Sequence, residues 1–392
     1  MLLEFWENFR HNLFKPLLLF FYMGFLVPIL GVKLDFPHVI YQGLTIFLLI
    51  AIGWHGGEEL ANLKLDELVR AGGFMGAGLV TNFIIGVVAY LVLRAFTTLR
   101  RVDAATVSGY YGSDSAGTFA TAVGVLTALN IKFAAYMPVM LAVMEIPGCL
   151  VALFLVSSLR RKGMDAMGNM PDEHGYDPSA VMNTDSDPLG NGGRNHGGSG
   201  AAETEHSSHA HKPKGGSILS AELLHEVFFN PGIYLLMAGI VVGFVSGMQG
   251  KKVTEADDLL FINLFQGMLC LFLLEMGMTA SSKLKDLRTA GWKFCLFGVL
   301  APNVFATFGI IVAHIYSTIV GQHLDIGTYV LFAVLCGSAS YIAVPAVQRL
   351  AIPEASPTLP LAASLGLTFS YNVTIGIPVY IQIAKAISSL SG

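Results

Sequence analysis

Ten apolar stretches dominate this sequence of 392 residues, at 13–32, 38–54, 72–97, 103–129, 133–158, 229–248, 258–280, 290–316, 325–350 and 361–388. Each runs for about 17 to 28 residues, the length at which a helix crosses roughly 30 Å of hydrocarbon. The chain is 54% hydrophobic and 13% charged, against roughly 25% charged in an ordinary soluble domain. Of its 50 charged residues, 16 crowd between Arg160 and Glu226, so the remainder is poorer in charge still. The expected fold class is an all-α polytopic membrane protein, which excludes a soluble enzyme or a nucleic-acid binder. The net charge of −4 comes with no basic stripe that a polyanion would need.

The N-terminus, MLLEFWENFRHNLFKPLLLFF, carries Glu4 and Glu7 where a secretory signal would carry positive charge, and no small-residue cleavage site follows. It reads as a retained first span. Cys149, Cys270, Cys295 and Cys336 all lie in apolar runs without CxxC spacing and read as small buried hydrophobes. Between the fifth and sixth stretches, residues 160 to 217 are rich in Gly, Asp, Ser, Asn and His and almost free of aliphatic side chains. Such a segment cannot bury a core and is expected to be a disordered loop. The run SILSAELLHEVFF that follows is expected to be a short amphipathic helix capped by Ser220. His206, His209 and His211 have a spacing that could hold a divalent metal, but low complexity is the better reading in so Gly- and Ser-rich a loop.

Lys and Arg near span ends number eight on the side that would hold both termini and twelve on the other, before the long loop is added. The excess of positive charge on the inner side of membrane proteins therefore places the termini outside and the loop in the cytoplasm.

The two halves overlay at a nearly constant offset. Phe47-Leu48-Leu49 matches Phe272-Leu273-Leu274, and Ala71-Gly72 matches Ala290-Gly291. Leu79 to Asn82 (LVTN) matches Leu300 to Asn303 (LAPN), and Gly112-Ser113-Asp114-Ser115 matches Gly337-Ser338-Ala339-Ser340. Four short matches in the same order point to an internal repeat. Five spans per half is an odd number, so the second half would enter the membrane from the opposite side. The expected organisation is a five-helix repeat at 1–158, the loop at 159–217 and a second, inverted five-helix repeat at 218–392. Inverted repeats point to alternating-access transport, with matched discontinuous helices near the midplane.

The fourth stretch, ATVSGYYGSDSAGTFATAVGVL, interleaves Gly109, Gly112 and Gly117 with Ser108, Ser113, Ser115, Thr118 and Thr121. Gly costs about 1 kcal/mol relative to Ala in a helix, and Ser competes for its own backbone, so a continuous helix is disfavoured. In the ninth, VLCGSASYIAVPAVQRL, Pro345 removes an amide donor and Gly337 loosens the preceding turn, which predicts a break just before Pro345. Close packing of small residues is the plainer alternative for either span alone and explains the matched pair less well.

Asp114 is the sharpest single residue, because a mid-span carboxylate costs roughly 2.5 to 3.5 kcal/mol even on insertion scales. It is expected to bind sodium, with Ser113, Thr118, Ser338 and Ser340 as further oxygens. A proton-titrating role and a carboxylate simply hydrogen-bonded to nearby hydroxyls are the alternatives. Glu145, Glu275, Asn82, Asn303 and Asn372 are the supporting intramembrane polar residues. Glu145 and Asn372 each precede an Ile-Pro pair and are expected to line one cavity from opposite halves. For Glu145 and Glu275 a helix-bridging role and a transport role stay equally open. Without a phosphate-cradling loop or a nucleophile elbow, an ATP-driven pump and a membrane hydrolase have no support, and no transition-metal site or enzymatic activity is expected.

At YYGSDSAGTFATA, at Glu145-Ile146-Pro147, at GSASYIAVPAVQRLAIPEASP and at SLGLTFSYNVTIGIPVY the chain resembles the sodium-dependent bicarbonate transporter family, the SbtA-type permeases. The resemblance covers nearly all of the chain except the long loop. It implies core and gate domains, broken fourth and ninth helices, a homotrimer and elevator-like movement. It also implies bicarbonate held by Gly112, Ser113, Ser115, Gly337, Ser338, Ala339, Ser340 and Tyr341, with Na+ as the coupling ion beside it. In cyanobacterial members a PII-like signalling protein binds the cytoplasmic face, and a similar partner is an expectation of the family. One departure stands out: those members carry an aspartate in the ninth helix where this chain has Tyr341, and here the acid is Asp114 of the fourth. The expected function is bicarbonate import by sodium symport across a bacterial inner membrane. A sodium- or proton-coupled carrier of another small anion, and a non-transporting membrane sensor, are the alternatives.

Overall fold

The computed structural model describes residues 15–181, 231–284, 287 and 290–388. Residues 1–14, the cluster of His206, His209 and His211, and the SILSAELLHEVFF run lie outside the described residues. The first half comprises α1 (Pro16–Ile29), α2 (His38–Leu60), α3 (Leu65–Phe96), α4 (Arg101–Tyr111), α5 (Ala116–Ala128), α6 (Met137–Met144) and α7 (Ile146–Arg161). The second comprises α8 (Pro231–Gln249), α9 (Lys251–Asp258), α10 (Phe265–Lys283), α11 (Trp292–Val320), α12 (Ile326–Gly337) and α13 (Ala343–Ala351). It ends in α14 (Leu359–Leu361), two π-helical segments at Ala362–Phe369 and Asn372–Gly376, and α15 (Ile377–Ser388). Among the described residues there is no strand, only an isolated bridge between Asp165 and Val181.

Six described helical runs are long and apolar enough to cross a membrane, and they fall on the second, third, fifth, sixth, seventh and eighth apolar stretches. The first stretch holds a helix of only 14 residues. The fourth and ninth are split, and the tenth changes hydrogen-bonding register at its π segments. Large apolar side chains face outward along the helices, among them Leu91 of α3, Val241 and Val245 of α8, and Val304 and Ile315 of α11. Such stripes suit lipid, where backbone groups are satisfied inside each helix.

Two helix crossings tie the halves together through glycine. At Gly24 of α1 an added Cβ would fall 1.8 Å from the Leu274 carbonyl oxygen of α10, and at Gly57 of α2 one would fall 2.1 Å from the Ile240 carbonyl oxygen of α8. A hydrogen in place of a methyl lets these backbones touch. The broken helices occupy the centre: from Val102 to Tyr111 of α4 and from Gly327 to Gly337 of α12 every residue is buried.

The second break lies at residues 338–342, just before Pro345, which itself sits in the first turn of α13. There a helix amide has no intrahelical partner, so the missing N–H costs nothing. The start of the segment expected to be disordered is ordered: α7 continues to Arg161, and residues 162–181 fold into a turn-rich cap. Asp165 organises this cap, its carboxylate accepting from the amides of Asn169 (2.7 Å), Asp177 (2.9 Å) and Met167 (3.0 Å). The cap is pinned to the start of α4 by Arg100, which donates to the Met167 carbonyl at 2.8 Å, and by Glu173, which accepts from the Arg101 amide at 2.7 Å. A largely polar sequence orders here because its carboxylates find backbone donors and arginines, and because Met164 and Met170 are buried against the bundle.

Candidate functional site: two facing helix breaks

α4 ends at Tyr111 and α5 begins at Ala116, while α12 ends at Gly337 and α13 begins at Ala343. Each break is stopped by a serine. The Ser115 hydroxyl caps α5 by accepting from the Thr118 amide at 3.3 Å, and the Ser340 hydroxyl accepts from the Val344 amide at 3.4 Å. A serine in extended or turn conformation competes well for the first free amides of a helix, which is why it starts a new one there. The breaks meet directly: the Ser340 amide donates to the Tyr110 carbonyl at 2.9 Å. The N-terminal ends of α5 and α13 and the C-terminal ends of α4 and α12 thus converge, offering amides to an anion and carbonyls to a cation.

Each half holds its own break with its last helix. The Ser113 hydroxyl donates to the Glu145 carbonyl at 2.9 Å, and the Asn372 amide donates to the Gly337 carbonyl at 2.8 Å. Asn372 in turn accepts from the Tyr380 hydroxyl at 2.6 Å. Asn82 donates to the Met144 carbonyl at 2.9 Å, which anchors α3 to the junction of α6 and α7. Gly112 is packed so closely that an added Cβ would lie 2.8 Å from the Gly86 Cα and 3.2 Å from the Asn82 carbonyl oxygen. At Gly337 the corresponding neighbour is the Pro302 carbonyl oxygen, at 2.7 Å.

Asp114 is 0% exposed, and neither carboxylate oxygen has a hydrogen-bond partner among the described residues. Burying a carboxylate without partners costs several kcal/mol, so the group calls for a cation or a proton. The hydroxyls of the two breaks and of the first turn of α5 have their protons directed elsewhere. Ser113 donates to Glu145, Thr118 donates to Ser115 at 2.9 Å, and Ser338 points at the Leu335 carbonyl at 3.4 Å. Their oxygen lone pairs stay available, which matches the oxygen preference of a hard cation. Among the described residues no cluster of His, Cys, Asp and Glu could hold a metal ion.

Not every expected residue joins this layer. Asn303 of α11 accepts from Tyr371 at 2.7 Å and donates back to Val299 of its own helix at 3.1 Å. Glu275 sits on α10, where it accepts from Thr279 at 2.8 Å and lines a groove beside α1. Ala339 and Tyr341 lie in the second break, both nearly buried.

Sequence reasoning missed the polar contacts that join α4 to the second break. Gln348 of α13 donates to the Thr106 carbonyl at 3.1 Å, and the buried Asp103 accepts from the Ser356 amide at 2.8 Å while paired with Arg100. Arg160 grips Glu354 at 2.8 Å, tying α7 to the turn after α13. Buried charge at span ends was the available signal, since Asp103 and Glu354 need partners that only another segment supplies.

Helices broken at the centre of a lipid-facing bundle, with an unpaired carboxylate between them, characterise a multi-pass membrane transport protein. The family described as the Na+-dependent bicarbonate transporter superfamily matches residues 16–385, and the chain belongs to it. This is a transporter family rather than an enzyme family, with bicarbonate and Na+ as its substrates and sodium as the coupling ion. No curated protein sequence matches the chain at a significant level.

Proposed function

We propose that this protein is a secondary active transporter that imports bicarbonate by sodium symport through elevator-type alternating access. One observation carries the reading: Asp114 is fully buried with both oxygens unpartnered, at a break hydrogen-bonded to the second break through Ser340 and Tyr110. Sodium at Asp114, with oxygens from Ser113, Thr118, Ser338 and Ser340, neutralises that carboxylate. The ion and the helix N-termini then favour an anion beside Gly112, Ser113, Ser115, Gly337, Ser338, Ala339, Ser340 and Tyr341. Binding of either ion favours the other, which is the thermodynamic basis of coupling.

The reading includes ten spans in two inverted five-helix repeats, 1–158 and 218–392, with the 159–217 loop between them. The reciprocal crossings of α1 with α10 and of α2 with α8 support it, as does the packing of Gly112 and Gly337 against carbonyls of the matched LVTN and LAPN strings. It also includes a bacterial inner-membrane location, periplasmic termini, a cytoplasmic loop, a homotrimer and a PII-like cytoplasmic partner.

Uptake of radiolabelled bicarbonate into proteoliposomes, with and without an inward sodium gradient at fixed pH, tests the proposal. Accumulation that needs sodium is the expected result. Accumulation driven by a proton gradient alone, or binding without accumulation, overturns it in favour of proton coupling or a sensor. Uptake competed away by a short carboxylate but not by bicarbonate reassigns the anion.

A further inference from the structure

Beside the end of α1 runs an open groove of about 330 Å³, whose walls include Val27, Pro28, Asp35, Glu275, Thr279 and Ser282. One of its polar atoms, Oε2 of Glu275, is buried and has no partner among the described residues, while Oε1 accepts from Thr279. The groove opens at the same end of the bundle as the 162–181 cap. The final helix starts next to Ser356, which is bonded to Asp103 under the cap, and early in that helix Gly366 packs against Leu284 at the end of α10.

One turn along α10 from Glu275, beyond the groove's lining, lies Phe272, whose ring shares the space over Gly117 with Tyr341. This side chain leaves the second break and reaches over Gly117, at the start of α5. A Cβ added to Gly117 would fall 1.9 Å from the Tyr341 hydroxyl and 3.0 Å from the Phe272 ring. Phe369 packs edge-on against Tyr341 with ring centroids 5.4 Å apart, and Tyr41 stacks on Phe272 at 6.0 Å. The phenol is 8% exposed. It occupies, two residues from the Ser115 end of the first break and one helical turn from Glu275, a seat that exists because residue 117 has no side chain.

We propose, building on the transport reading above, that this groove is the inner mouth of the transport path and that Tyr341 is the plug that closes it. The observations divide the task between two kinds of side chain. Phe272 of α10 and Phe369 of the final helix flank the phenol, with Tyr41 of α2 stacked behind Phe272, and residue 341 lies outside any helix, so its side chain can turn while the Ser340 amide keeps its bond to Tyr110. Withdrawal of Tyr341 from Gly117 joins the groove, with its unpaired Glu275 oxygen, to the carboxylate at Asp114. A large apolar-bodied side chain at this position serves closure, whereas an aspartate there would serve ion binding.

Cysteine accessibility tests the proposal without any assumption about the anion or the coupling ion. The four native cysteines are replaced by serine, and Thr279→Cys or Ser115→Cys is introduced as reporter in the full chain. A charged, membrane-impermeant methanethiosulfonate is applied from the cap's side. Thr279→Cys is expected to react whatever occupies position 341. Ser115→Cys is expected to react slowly with Tyr341 or Tyr341→Phe, and on the order of tenfold faster with Tyr341→Ala. Where Tyr341→Ala does not purify as a monodisperse protein, Tyr341→Leu takes its place. An unreactive Thr279→Cys denies the mouth, and equal Ser115→Cys rates across the variants deny the plug. Either result leaves the bicarbonate uptake assay unaffected, so the two readings fail separately.

Discussion

The backbone amide of Ser340 donates to the carbonyl of Tyr110 across 2.9 Å, and this bond makes the two helix breaks one structure. Gln348 to Thr106 and Ser356 to Asp103 continue the same seam along α4. With three polar links on one buried helix, the second break is bound to α4, and a displacement of one carries the other. A site assembled from both breaks can then change its exposure without being taken apart.

Asp114→Asn keeps the shape of the side chain and removes the charge. In sodium-free buffer the variant should unfold at the same or a higher temperature than the parent, because an amide is cheaper to bury than a lone carboxylate. Sodium should raise the unfolding temperature of the parent, as a ligand bound only by the folded state does, and leave the variant unmoved. A thermal scan in detergent at several sodium concentrations reads both, and a sodium response that survives in Asp114→Asn sinks the assignment.

Gly148→Ala tests the packing that seats the first break. Its Cβ would lie 2.1 Å from the Gly109 carbonyl oxygen and 2.6 Å from the Ser113 amide nitrogen, backbone atoms that cannot rotate away. A loss of roughly 1–3 kcal/mol is expected, the usual range for overpacking. Gly72→Ala, where nothing lies within 4 Å, should be neutral or gain up to about 1 kcal/mol from helix propensity. Equal unfolding midpoints for the two variants would contradict this geometry.

The Arg160–Glu354 pair should respond unevenly to truncation. The Glu354 side chain is 6% exposed and that of Arg160 29%. Arg160→Ala strands a buried carboxylate, whereas Glu354→Ala leaves a guanidinium with partial access to water and the Ala351 carbonyl still in reach at 2.8 Å. Arg160→Ala should therefore be the more destabilising of the two in a matched chemical-denaturation series.

The cap should open only in acid. Burial alone would raise the Asp165 carboxyl, but the amides of Asp177 and Asn169, the Asn169 side chain and the Met167 amide outweigh it and hold the group below its ordinary value. A carboxylate with a lowered folded value lends stability above its unfolded value, near ~3.9, and loses it as pH falls through the folded value. Amide exchange of residues 162–181 should accordingly show pH-independent protection from about pH 5 to 8 and a loss of it below ~4. Asp165→Asn should show the acid pattern already at neutral pH, and protection unchanged in that variant would remove Asp165 from its organising role.

Much of the site was legible in sequence, for identifiable reasons. Gly and Ser interleaved in a span conflict with helix propensity whatever surrounds them, so the break around Gly112 to Ser115 followed from local chemistry. Asp114 stood out because the bilayer gives a carboxylate no solvent. Pro345 signalled the second break because a proline is tolerated in the first turn of a helix and not in its interior, so the helix had to begin shortly before it.

The sequence by itself determined the lipid-facing helices, the two breaks in outline and the residues with chemistry to offer, since all of these rest on composition, spacing and the cost of polar groups in hydrocarbon. The tertiary structure alone decided which of them meet. Whether Asp114 has a partner, whether Tyr341 reaches over Gly117, and whether the polar 162–181 stretch finds arginines to order it depend on contacts between segments far apart in the chain. Long-range packing sets those contacts, and no local pattern encodes them.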